Sequence, residues 1–219
     1  MRLWVLGLLL SGCAASRAVA PMGAGRGAVT ASLGGPLLEF GGAPVPVPLL
    51  SAGYRYGLSD RTSVHGALHG TGLVLLGVFG ADLGVDVELL PPSGSRPRLM
   101  FDQTFALFTG DAALGEPAGG PRVFADLALL ASWDVGREAH HPYVGLRLFD
   151  QPFPERHVYP YPVAGAVWNA GRLGWQLELG WPGITARNVP SFVDWIGPFH
   201  QGALSVQVGA TVATGRRPR

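Results

Sequence analysis

Six side chains on two neighbouring stretches are the groups most able to do chemistry. Ser63, His65 and His69 fall on the polar side of residues 62–69, and Asp82, Asp86 and Glu88 on that of the next stretch. A hydroxyl, an imidazole and a carboxylate in hydrogen-bond reach would supply nucleophile, base and orienter. The same groups, with Glu178 further on, would equally satisfy one another as a buried polar network. The network is the preferred reading, because no Gly-x-Ser-x-Gly elbow accompanies Ser63. A metal shared by His65, His69 and Asp82 is not expected, since positions four apart on a strand stand about 13 Å apart. His140-His141 reads as a solvated turn, and His157 and His200 stand alone in aromatic, Pro-rich loops. Without a zinc cluster, a phosphate-cradling loop or a dinucleotide fingerprint, no cofactor and no catalytic residue are expected.

The one thiol has a more specific setting. Arg2, an apolar run from Leu3 to Leu10, the small pair Ser11-Gly12 and then Cys13 follow the order of a secretory signal. The run is too short to span a bilayer, which takes about 20 residues. Leu10-Ser11-Gly12-Cys13 resembles the lipobox of bacterial lipoproteins. That resemblance implies acylation of the Cys13 thiol, cleavage before it and acylation of the new amino terminus. The alternative is an ordinary cleaved signal in which Cys13 is discarded. The organisation expected is a signal peptide over 1–12, a lipidated Cys13 with a flexible tether over 13–27, a β-barrel over 28–215 and a basic tail over 216–219.

Elements that would position these groups are legible in the rest of the chain. Only 14% of residues are charged, 47% are hydrophobic, and there are 33 glycines and 19 prolines. A net charge of +1 offers no concentrated basic patch for nucleic acid. From Ala28 the hydrophobic period is two, which puts alternate side chains on opposite faces of a strand. Leu50, Ala52, Tyr54, Tyr56 and Leu58 oppose Ser51, Gly53, Arg55 and Gly57; Leu173, Trp175, Leu177, Leu179 and Trp181 oppose Gly174, Gln176, Glu178 and Gly180. Ten strands are expected, near 28–40, 49–58, 62–69, 73–89, 98–109, 122–135, 142–149, 161–170, 172–181 and 202–213. Tight or moderate links alternate with long ones, as in an antiparallel up-and-down barrel of about 8–10 strands.

The second face is small and polar, as the interior of a narrow barrel requires, with acids placed to meet arginines. Tyr54, Tyr56, Trp133, Trp175 and Trp181 lie on the apolar face near strand ends, where an interfacial girdle would sit. The apolar face is therefore expected outwards. Tyr56-Gly57-Leu58-Ser59-Asp60-Arg61 resembles a hairpin of outer-membrane β-barrel proteins, with Asp60 capping its own turn. The resemblance implies an outer-membrane barrel of structural or binding role, held by Cys13 on the periplasmic side, with outer-membrane lipid and envelope proteins as partners. Such barrels commonly end in an aromatic residue, whereas this sequence ends Gly215-Arg-Arg-Pro-Arg219. Two alternatives stay open: a soluble, lipid-tethered periplasmic barrel with its apolar face inwards around a small ligand, and a barrel enzyme acting on membrane lipid. The loops Gln151–Tyr161 and Asn188–His200 carry aromatics that would bind a partner or pack over the barrel mouth.

Overall fold

The computed structural model describes residues 17–71, 78–110, 122–136, 140–151, 157–187 and 194–214. Among these the chain is almost entirely strand: β1 (Gly27–Phe40), β2 (Ala43–Pro46), β3 (Leu49–Gly57), β4 (Thr62–His69), β5 (Val78–Leu90), β6 (Arg98–Gly110), β7 (Arg122–Ser132), β8 (His140–Gln151), β9 (His157–Ala170), β10 (Leu173–Gly180) and β11 (Ser205–Thr214). Each pairs antiparallel with its neighbours, and β1 also pairs with β11 from Gly27↔Thr214 to Pro36↔Ser205. That pairing closes a ten-strand barrel. β2 stands outside the ring, as the return limb of a hairpin that extends β1 through Gly41 and Gly42. Its proline-rich sequence hides it from a search for period two.

One end of the barrel carries the tight links after β3 and β9, and the other carries the longer β10–β11 connection. Gly27 and Thr214 both lie at the short-turn end. The alternation resolves with its apolar face outwards. Leu33, Leu50, Leu68, Leu83, Phe105, Leu129, Leu146, Val158, Leu177 and Val208 are exposed, one on each wall strand. Ser51, Arg55, Ser63, Asp86, Asp102, Arg147 and Glu178 are buried inside. Tyr54, Tyr56, Trp168 and Trp175 are exposed at the short-turn end, in an arc on β3, β9 and β10 around the β1–β11 seam. Trp133 and Trp181 are half-buried rather than outward-facing, and the Trp181 indole donates to the Gln201 carbonyl at 2.9 Å.

The inside is filled in three layers. Near the long-loop end Val47, Leu49, Phe108, Phe124 and Phe149 pack together, with Phe124 stacked on Phe149 at 5.1 Å and edge-on to Phe108 at 5.6 Å. Leu38 and Trp195 cover this cluster from the β1 extension and the last loop. Charged groups occupy the middle. Ala18 and Val19 fill the short-turn end, against Met100, Ala128, Leu130 and Tyr143.

Residues 17–26 thus form no flexible tether. Val19 accepts from Ser132 Oγ at 2.7 Å, and the Met22 and Ala24 amides donate to Ser63 Oγ and Asp60 Oδ1, both at 3.2 Å. Gly25 and Gly57 are joined at 2.9 Å, which leads the chain into β1. The small residues that suggest a tether also suit a narrow mouth. Asp60 therefore serves this segment, and it is Ser59 Oγ that accepts from the Arg61 amide at 3.2 Å inside the hairpin.

Gly34, in β1, has φ +137°, and a Cβ there would stand 2.1 Å from the Val206 carbonyl oxygen across the closing seam. Gly34→Ala should destabilise the barrel by about 1–3 kcal/mol. Gly70→Ala, whose methyl would meet nothing nearer than 3.6 Å, should stay within about 0.5 kcal/mol. Urea unfolding followed by heat-modifiable gel migration distinguishes the two.

Candidate functional site

All seven polar residues singled out above lie on the inward face, but in three separate groups. At the short-turn rim Glu88 accepts from Arg98 at 2.9 Å, Arg98 also grips Asp134 at 2.7 and 3.0 Å, and His141 Nδ1 lies 2.9 Å from the same carboxylate. His141 is buried in this cluster, not solvated, because the bridge between Val135 and His140 folds the link back on itself. Towards the long-loop end His69 Nε2 lies 2.9 Å from Asp82 Oδ2, beside the Phe108 ring.

The middle group holds the rest. Asp86 faces Arg55 Nε at 3.1 Å and His65 Nδ1 at 3.2 Å. His65 Nε2 meets Thr104 Oγ1 at 3.1 Å, and that hydroxyl donates to Asp102 Oδ1 at 2.9 Å. Asp102 and Asp126 are bridged by Arg17, one through each terminal nitrogen of the guanidinium. Arg147 pairs with Asp126 and reaches Glu178 at 3.4 Å, while its guanidinium lies 4.3 Å over the Tyr161 ring. Glu178 also accepts from Tyr143 at 2.9 Å, and Gln176 donates to the Tyr143 oxygen at 2.7 Å.

Space for these groups comes from their partners across the strands. Opposite His65 stands Gly84, where a Cβ would sit 2.4 Å from the imidazole Nε2. Opposite Tyr143 stands Gly165, where a Cβ would sit 2.5 Å from the phenol oxygen. At these two positions the lumen takes a large polar side chain because the facing residue has none.

Charge counting orders the site. The strands bury Asp82, Asp86, Asp102, Asp126 and Glu178 against Arg55 and Arg147. With Asp82 beside His69, four carboxylates face two guanidiniums. Arg17 brings the third from outside the strand set. Pattern reasoning found Asp86 and Glu178 but missed Arg17, Arg55, Asp102, Asp126 and Arg147 as members. The inward parity of Arg55, Asp102, Asp126 and Arg147 on their strands was the available signal for four of them.

The geometry assembles no hydrolytic triad. Both His65 nitrogens are engaged, with Asp86 and Thr104, while Ser63 Oγ meets the Met22 amide. His65, Asp86 and Asp102 bring possible ligand atoms within 4.8 Å of one another. Both carboxylates already face a guanidinium, so a cation there would have to displace Arg55 or Arg17.

No protein-family model and no curated protein matches the sequence. Among solved structures the chain is similar to the translocator domain of the autotransporter NalP from Neisseria meningitidis, at 8% identity and a TM-score of 0.47, over 87% of this chain and 88% of that one. It is also similar to Ail, the attachment invasion locus protein of Yersinia pestis, at 12% identity and a TM-score of 0.29, over 87% and 99%. This chain's fold is a closed antiparallel ten-strand barrel.

Arg147→Ala should cost about 3–5 kcal/mol, because it strands Asp126 and Glu178 in the lumen. Arg147→Lys should recover only part of this, since an ammonium can neither fork between two carboxylates nor stack on Tyr161. Equilibrium unfolding of the refolded variants measures both.

Proposed function

We propose that this chain is an outer-membrane β-barrel protein of structural or binding role, without catalytic activity, anchored in addition by lipid on Cys13. The observation that carries the reading is the apolar belt: every wall strand turns a large apolar side chain outwards, over an interior of paired charges. A soluble barrel has the reverse arrangement, so an apolar-lined ligand cavity does not fit this lumen. An aromatic arc at one rim suits a membrane interface, and short turns at that rim suit the periplasmic side.

The filled interior speaks against a diffusion pore, and the engagement of His65 away from Ser63 against lipid hydrolysis. Cys13 lies outside the described residues. It precedes Arg17 by four positions, a reach of at most about 14 Å. A lipid there would be held close to the barrel's own mouth, in the leaflet beside the short turns. Attachment of acyl chains rests on Leu10-Ser11-Gly12-Cys13 alone, and radiolabelled palmitate tests it directly: label should follow the wild-type chain and be lost in Cys13→Ala.

For the barrel itself, Cys13→Ala without the signal should need detergent to stay monodisperse and should migrate differently on gels before and after boiling. Monodisperse protein in plain buffer would sink the membrane reading. Leu83→Arg, at the centre of β5, should cost about 2–4 kcal/mol in a bilayer; on a water-facing wall the same change would be worth within about 0.5 kcal/mol.

A further inference from the structure

The segment ahead of β1 occupies the lumen without belonging to its wall. Around the ring β6 and β7 are the fourth and fifth strands on from β1, so the segment crosses the bore to reach Asp102 and Asp126. It is held there by the Arg17 fork, by a hydrogen bond from Ser132, and by those its own amides donate to Ser63, Asp60 and the Gly57 carbonyl. Its departure through the short-turn mouth would break no strand pairing.

What it would leave behind is a shaped site. Two carboxylates on adjacent strands are spaced so that one guanidinium spans them, one nitrogen to each. Below them, towards the mouth, Met100, Leu130 and Tyr143 seat the two small apolar residues that follow the arginine, Ala18 and Val19, both almost fully buried. Above them the Phe108–Phe124–Phe149 cluster closes the bore. The segment itself reaches the site from the short-turn mouth, and a ligand would follow the same path. Strand residues alone leave it one guanidinium short: Asp126 keeps Arg147, but Asp102 loses the guanidinium it faces, and a buried carboxylate without its cation is costly.

We propose that Asp102 and Asp126 form a guanidinium-binding site, filled in cis by Arg17 and open in trans to an arginine-bearing peptide with small apolar residues after the arginine. The site belongs to the lumen whether or not the barrel spans a membrane. Only the statement that its mouth faces the periplasm, and hence that the peptide belongs to a periplasmic or envelope protein, rests on the reading above.

The probe is a fluorescent peptide with the sequence of residues 16–22, Ser-Arg-Ala-Val-Ala-Pro-Met, beside the same peptide with Ala for Arg. The receptor is the barrel lacking residues 16–22. The Arg peptide should bind this variant saturably and the Ala peptide at least about tenfold more weakly, the usual scale for hydrogen bonds to charged groups. Asp126→Asn in the same variant should weaken the Arg peptide to a similar degree. The intact chain should bind the Arg peptide more weakly than the variant does, in competition with its own Arg17, and no saturable binding of the Arg peptide to the intact chain overturns the trans role. Equal binding of both peptides, or of neither, to a folded variant overturns the proposal. If the deletion does not fold, the peptide is supplied during refolding. The Arg peptide should then restore heat-modifiable barrel and the Ala peptide should not; restoration by neither overturns the proposal as well. The assay runs in detergent or in buffer, whichever keeps the barrel monodisperse, so a failed membrane reading shows itself before the peptide is added.

Discussion

Charge balance inside a closed, narrow ring is the constraint on which this structure depends. Carboxylates removed from water must meet cations, and each cation must meet enough oxygens, or burial costs several kcal/mol per ion. The ring supplies an excess of acid. Arg17 reduces it from a segment that is not part of the ring, which explains why residues with no strand pattern are buried at all. Arg147 then shares Asp126 with Arg17, and Glu178 holds Arg147 and Tyr143 together. Removing any one member leaves its neighbours facing a partner that is gone.

The wall obeys a different rule. Period two decides which residues face in, while the lumen decides how large they are. Gly84 and Gly165 have no local reason to be glycine in strands that would favour β-branched residues. Their reason lies across the ladder, in His65 and Tyr143. These two glycines are thus the imprint of large polar groups on neighbouring strands, and they make room for those groups inside the bore.

Much of this was legible in the sequence. Alternation located the ten wall strands to within a few residues and chose their outward face, because side-chain parity on a strand is a local property. Inward parity also marked Ser63, His65, His69, Asp82, Asp86, Glu88 and Glu178. Their division into three groups was not legible, since it depends on height along the barrel, which register sets and periodicity does not. The role of Arg17 was hidden for the same reason. Ala14 to Arg26 reads as a linker because small residues carry no pattern, and only its position against Asp102 and Asp126 shows what it does. Trp181 illustrates the converse: correct parity, but a loop carbonyl at Gln201 captured its indole.

The seam between β1 and β11 has a kinetic meaning. Gly27 meets Thr214, so the contact that completes the ring joins the first wall strand to the last. No hairpin along the way encloses anything, and until those strands meet, the interior acids and arginines stand in water. Ring closure and desolvation of the charges are therefore a single late event, preceded by a high loop-closure entropy. A chain of this kind is expected to cross from open ribbon to finished barrel cooperatively, with no stable half-circle between them.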